Sequence, residues 1–308
     1  MTPFSKADLS RIVKLLSLTP PSWLFPIGNL LPVARSMRFL RGEDASRADW
    51  TAAMARALSD HVTARQAAAI VAALSDRMVE AQMQILALLR PARRWQPVIR
   101  RHGFDHVAAA LEKRRGAILW VSDFVYSTLV TKMAFHQAGF AVSHLSRPNH
   151  GFAMTPFGIR YLNPLWTRIE DRYIAERVKI IDDDAGEALK TLRTRLASNR
   201  IVSITVVDTA QRTLDTEFFR GTIRIATGPP HLSRISGAPL LPVFTLRGDD
   251  GVYDVTVGPP LDVGSTAEPD YAGAVRAYVT MLESRVLAHP DQWNGWFRID
   301  HLPVAGSP

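Results

Sequence analysis

The sequence predicts an α/β fold: a central, mostly parallel sheet flanked by helices, with a helical N-terminal region ahead of it. Three observations carry that prediction. Short runs that are apolar or β-branched at nearly every position, 117–121, 201–207 and 239–246, recur along the chain. Runs of this kind fit strands covered on both faces, as parallel strands packed between helices must be. Between them lie longer stretches with apolar residues at helical spacing, and this alternation points to one sheet with crossover helices. Finally, residues 49–89 hold neither Gly nor Pro and are rich in Ala, Leu, Met and charged residues, which predicts one or two helices before the first strand. A chain of 308 residues that is 47% apolar is long enough to bury a large core around such a sheet.

The elements follow in order. Pro91 and Pro97 end the N-terminal helices. A short helix over 104–113 leads through Gly116 into the strand 117–121, and a helix over 128–139 stops at Gly139. A strand over 140–145, a helix over 185–198 and the β-branched strand 201–207 come next. Then a helix over 230–237 precedes the strand 239–246. The strand 253–257 runs into the turn Gly258-Pro259-Pro260. An amphipathic helix over 270–289 and the aromatic segment 293–297 close the pattern. The chain divides into a helical N-terminal region, 1–100, and an α/β domain, 101–308.

The absence of cysteine excludes disulfides, thiolate metal sites and cysteine nucleophiles. Residues 1–9 show no basic run followed by an apolar stretch, so residence on the cytoplasmic side is expected. A formal charge of +8 and a pI near 10.1 favour acidic or phosphate-bearing partners: anionic lipid, acyl carrier protein or nucleic acid. No recognised nucleic-acid motif or interleaving of aromatic with basic residues is present, so nucleic acid is not expected as a partner. No apolar run reaches the roughly 18 residues needed to cross a bilayer. The segment 12–33, broken by Pro20, Pro21, Pro26 and Pro32 and followed by Arg35, Arg38 and Arg41, reads either as an element lying on the inner membrane surface or as core and dimer packing.

Ligands of open α/β sheets gather beyond the carboxyl ends of the strands, so the residues after Val121 are the first place to seek chemistry. They read Ser122, Asp123, Phe124, Val125, Tyr126, Ser127, Thr128, Leu129. Upstream stand Gly103-Phe104 and Arg115-Gly116; downstream come Gly139 to Val142 and Arg147-Pro148-Asn149. Farther on lie the strand 204–208 ending in Asp208, and Phe218-Phe219-Arg220-Gly221 with Ala226-Thr227-Gly228. Ser236-Gly237-Ala238 and Leu241 to Phe244 complete the series. In this order and spacing the blocks resemble those of the lipid A late acyltransferases of the glycerolipid acyltransferase superfamily over about residues 100–300.

That resemblance implies a glycerolipid-acyltransferase-like fold and transfer of an acyl group from a thioester on acyl carrier protein or coenzyme A. The thioester is a co-substrate, and no cofactor is implied. The family's strand at this point ends in a catalytic histidine with a glutamate five residues later. Here those positions hold Asp123 and Thr128. Two readings follow. In one, Asp123 serves as the base, helped by Ser122 or Ser127, and needs a carboxyl raised by burial to accept a proton efficiently. In the other, the site is repurposed and binds an acyl chain, carrier or lipid without transferring anything.

Among other histidines, His136 reads as structural, while His144 and His150 bracket the Arg147 segment and are candidates to reach the site. The resemblance implies that Arg147 and Arg220, with Gly221 and Thr227 from the same blocks, contact phosphates of donor or acceptor. Arg224 is a further candidate because its guanidinium matches phosphate geometry. His231 opens a helix whose N-terminus suits an anion, and Asp208 orients Arg147 or a substrate hydroxyl. The run Asp182-Asp183-Asp184 reads as helix capping rather than a metal site, since consecutive side chains cannot all face one ion.

Overall fold

The computed structural model describes residues 47–88, 95–147, 150–151, 158–180, 185–207, 210, 212–265 and 267–296. The segment 12–33, the acidic run 182–184 and Asp208 lie outside the described residues. Among the described residues two helices come first, α1 (Arg47–Ala57) and α2 (Ala64–Ala87). A reciprocal cap starts the second: Gln66 N donates to Thr63 Oγ1 at 3.3 Å, and Thr63 N donates to Gln66 Oε1 at 2.8 Å.

The α/β part follows as β1 (Ile99–His102), α3 (Asp105–Glu112), β2 (Ala117–Val121), a π-turn over Ser127–Thr131 and α4 (Lys132–Gln137). Next come β3 (Val142–Ser146), α5 (Asn163–Glu170), β4 (Glu176–Lys179), α6 (Ala185–Ala197) and β5 (Ile201–Thr205). A hairpin of β6 (Thr213–Phe218) and β7 (Gly221–Ala226) leads to α7 (Gly228–Ser236), β8 (Leu240–Arg247), β9 (Tyr253–Val257) and α8 (Tyr271–Ala288). Asp270 caps α8 by accepting from Gly273 N at 2.7 Å.

The seven-stranded sheet has the order β1-β9-β8-β2-β5-β3-β4. Strands β8, β2, β5, β3 and β4 are parallel, β9 is antiparallel to β8, and β1 is parallel to β9. The fold class is therefore as expected, with an antiparallel departure at one edge. Adjacent residues of β3 sort the helices onto two faces, because successive side chains of a strand point oppositely. Ser143 donates to Glu176, which pairs with Arg195 of α6. His144, on the other face, lies under Lys132 of α4 and Glu170 of α5.

Five elements had no clear signature. Strands β1 (Ile-Arg-Arg-His) and β4 (Glu-Arg-Val-Lys) are the two edges, and their polar residues, largely exposed in β1 and ion-paired in β4, erase the apolar pattern. Helix α5 carries an ordinary mix of polar and apolar residues. The β6–β7 hairpin turns at Phe219-Arg220 without the usual Asn-Gly signal, and Phe219 takes a left-handed φ of 48°. The helix expected over 128–139 begins as the π-turn, and that expected over 230–237 begins earlier, at Gly228.

Candidate functional site

Strand β2 delivers Asp123 to the carboxyl end of the parallel sheet, where its side chain is partly exposed. The loop is braced by the segment after α8. Asn294 donates through Nδ2 to Asp123 Oδ1 at 3.0 Å and through its backbone N to Asp123 O at 3.0 Å. Val125 N donates to Gln292 O at 2.8 Å. The two serines face inward instead. Ser122 continues the side of β2 that carries Trp120, and Tyr278 of α8 donates to its Oγ at 2.8 Å, with Ser122 fully buried. Ser127 is buried as well, and its Oγ accepts from Phe124 N at 3.3 Å. The Ser122 hydroxyl is thus engaged by α8 and that of Ser127 by the loop's own backbone, and both are buried rather than presented beside Asp123. Thr128 is partly exposed, and its carbonyl accepts from Lys132 Nζ at 2.5 Å.

Two buried carboxylates flank this loop. On one side Glu80 of α2 accepts from Tyr126 Oη at 2.9 Å, Gln84 Nε2 at 2.7 Å and Arg247 at 2.8 Å. Gln84 also donates to Tyr253 Oη at 2.8 Å, and Arg77 pairs with Asp291. This network ties the N-terminal helices to the Asp123 loop through Tyr126 and to the Asn294 segment through Asp291. Burial raises the Glu80 carboxyl above its ordinary value, and Arg247 and Tyr126 only partly offset that.

On the other side lies Glu170, at the end of α5, with its side chain fully buried. It receives Arg177 Nη2 at 2.7 Å, Trp166 Nε1 at 2.7 Å and His150 Nε2 at 3.0 and 3.1 Å, with Lys132 Nζ at 3.4 Å. Burial opposes its charge, yet Lys132, His150 and Arg177 outweigh burial and hold the Glu170 carboxyl well below the usual range. His144 beneath it shares a 2.8 Å hydrogen bond with Ser203 Oγ. Burial, reinforced by Lys132, pushes the His144 imidazole well below its ordinary value, so it is neutral.

Register places this cluster beside the Asp123 loop. Val121, at the end of β2, pairs with Thr205 of β5, and Ser203 of β5 pairs with His144 of β3, so Ser146 stands level with Val121 two strands away. Two strand spacings are about 10 Å. Arg147, exposed, follows Ser146 at that edge, and His150 N donates to Arg147 O at 3.2 Å. Asp123, Arg147 and His150 thus share one end of the sheet. Thr205, at the end of the strand between them, is partly exposed.

The remaining expected residues sit on the β6–β7 hairpin, whose Phe218 packs on Trp293 opposite Phe124 at 5.1 Å, and at the start of α7. Arg220 and Gly221 sit at the hairpin tip, where Arg220 is exposed and pairs through two nitrogens with Asp60. Arg224 pairs with Asp215 across the hairpin. Thr227 is buried and donates to Arg212 O at 3.2 Å. His231 bonds Tyr271 Oη at 3.1 Å, two turns of α8 from Tyr278, and hence roughly 10 Å along that helix from the Ser122 contact. Burial and the nearby Arg234 lower its imidazole. His136 is exposed, edge-on to Tyr173. Lys132, Glu170, Arg177, Glu80 and Asn294 were not expected. Each looks in sequence like an ordinary surface charge or loop amide, and only Trp166 and Glu170, four apart on one helix, hinted at a pair.

Among the described residues no group of three His, Cys, Asp or Glu side chains is placed to hold a metal ion, and no helix is long and apolar enough to cross a membrane. Comparison with curated proteins gives no match. Residues 11–298 match the family described as bacterial lipid A biosynthesis acyltransferase, nearly the whole length of the chain. The resemblance of separate blocks thus extends to a full-length match, and the chain belongs to the bacterial lipid A biosynthesis acyltransferase family.

Proposed function

We propose that the protein is a diverged acyltransferase that moves an acyl group from a thioester, on acyl carrier protein or coenzyme A, to a hydroxyl or amine acceptor at the cleft beside Asp123. One observation carries this reading. The position of the family's histidine is held by a partly exposed carboxylate at the end of a central strand, oriented by Asn294 from a separate segment. Asn294, from a distant segment, fixes one of its oxygens, and its place at the strand end suits it to hold an acceptor hydroxyl or ammonium against a thioester. Arg147, exposed at the same end of the sheet, is suited to a phosphate of donor or acceptor.

In the reaction the acceptor oxygen or nitrogen attacks the thioester carbonyl. The new C–O or C–N bond forms, the C–S bond breaks, and the acceptor's proton ends on the departing thiol. The direct test supplies an acyl-coenzyme A, or the same chain on acyl carrier protein, with hydroxyl and amine acceptors, a lipid A precursor among them. Acylated product is followed by mass spectrometry. Asp123→Ala is expected to lower turnover by at least ~10-fold, the scale on which lost orientation is felt. Turnover unchanged in Asp123→Ala refutes the assigned role.

A second reading follows from the missing histidine and glutamate: a binding protein that docks an acylated carrier or an anionic membrane without transfer. It predicts association that weakens as salt rises, with no product formed.

A further inference from the structure

We propose that His150, oriented by Glu170, is the general base of this protein: a histidine–carboxylate pair built on different elements from those that carry the family's motif. The proposal rests on the transferase reading above and deepens it by separating the acceptor-holding carboxylate, Asp123, from the proton acceptor.

The first support is the chemistry of the pair. Glu170 is fully buried and ionised, so its oxygens only accept hydrogen bonds. His150 Nε2, 3.0 Å and 3.1 Å from the two oxygens, must therefore carry the hydrogen. A neutral imidazole protonated at Nε2 has its lone pair at Nδ1, which is the arrangement a general base needs. The imidazole stands edge-on to Trp166, whose indole N–H also holds Glu170, so the ring is oriented on a fixed support. Glu170 is further secured by Lys132 and Arg177, and the negative charge that steadies an imidazolium is already in place.

The second support is position. The His150 side chain is 29% exposed, whereas that of Glu170 is wholly covered, so the pair has one open end. Contacts of 3.0, 3.4 and 2.5 Å link His150 Nε2 through Glu170 and Lys132 to the carbonyl of Thr128, the residue standing where the family keeps its glutamate. Strand register puts the start of the His150 turn level with the end of β2, with partly exposed Thr205 between. His144 does not compete for the role: it is covered by α4 and α5 and committed to Ser203.

In the step assigned to the pair, the acceptor's O–H or N–H gives its proton to His150 Nδ1 as the heteroatom bonds to the thioester carbonyl carbon. The C–S bond then breaks and the imidazolium returns that proton to the thiolate. The products are the acylated acceptor and a free thiol, and Glu170 stays ionised throughout.

The test uses the full chain with the thioesters and acceptors named above, comparing wild type with His150→Gln, His150→Ala with and without added imidazole, and Glu170→Gln. Thermal unfolding is recorded for each. The expected result is a loss of at least ~100-fold in kcat for His150→Gln with KM for the thioester little changed and the fold intact, and partial return of His150→Ala activity on adding imidazole. Glu170→Gln should lower kcat in the same direction. Turnover of His150→Gln within about threefold of wild type overturns the pair while the transferase reading stands. A loss that tracks a lowered unfolding temperature and does not respond to imidazole assigns His150 a structural role and also overturns the proposal. Absence of turnover by the wild type with every thioester overturns both the pair and the transferase reading.

Discussion

Glu80 and Glu170 are both buried carboxylates beside the Asp123 loop, yet their environments push them in opposite directions. Glu80 has one arginine, a phenol and an amide as partners, and burial prevails, raising its carboxyl. Glu170 is the more completely buried, but the cations Lys132 and Arg177 converge on it, with a hydrogen bond from His150, and keep it ionised. Burial alone therefore does not decide the charge of a carboxylate; the number of cations in contact does. The difference also sorts the two by use. Glu80 sits in a closed network that joins the N-terminal helices to the loop, while Glu170 holds one part-exposed histidine at the same end of the sheet as Asp123.

Substitutions test this contrast, the largest effect coming from the charge that holds two others. Glu170→Gln leaves Lys132 buried without its anion and Arg177 with Asp171 alone, and is expected to destabilise by about 3–5 kcal/mol in urea unfolding. Glu80→Gln, which imitates the neutral form that burial favours, should cost about 1 kcal/mol. Equal losses in the two variants would remove the distinction drawn between them.

A pH series sharpens it further. The folded His144 imidazole lies well below its ordinary value, so below about pH 6.5 the unfolded chain binds a proton that the folded chain does not. Its contribution is complete above that value and declines on acidification, by up to about 1.4 kcal/mol per pH unit. His144→Gln should flatten this slope between pH 6.5 and 5. Below the ordinary glutamate value Glu170, whose folded value is depressed, adds a second decline in the same direction; Glu80, whose value is raised, acts above that value and there opposes the decline. The smallest effect belongs to Arg220, exposed at the hairpin tip: Arg220→Ala should leave the unfolding midpoint essentially unmoved, since exposed ion pairs contribute little. Thioester KM should not move in this variant, and a clear rise in KM would return Arg220 to the phosphate role first expected of it.

Much of the fold was legible because the signals for central strands and their helices are local. The run 117–121 is wholly apolar because β2 lies between β8 and β5 and beneath helices on both faces. The strand 253–257 alternates because its burial does. The edge strands β1 and β4 escaped because three of the four residues in each are polar or charged, which removes the pattern being sought. The place of the reaction centre was legible for the same local reason, since a strand end followed by a loop and helix can be read in order.

By itself, then, the sequence determined the alternation of strands and helices, the family blocks, and the replacement of the family's histidine and glutamate by Asp123 and Thr128. Only the tertiary structure decided which polar side chains meet. Sequence distance does not report that Ser122 and Ser127 turn into the core, that Arg220 is held by Asp60, or that His150 faces a carboxylate twenty residues away. Hydrophobic periodicity is imposed element by element, whereas a buried charge is stable only when strand register and helix packing bring its partners into contact.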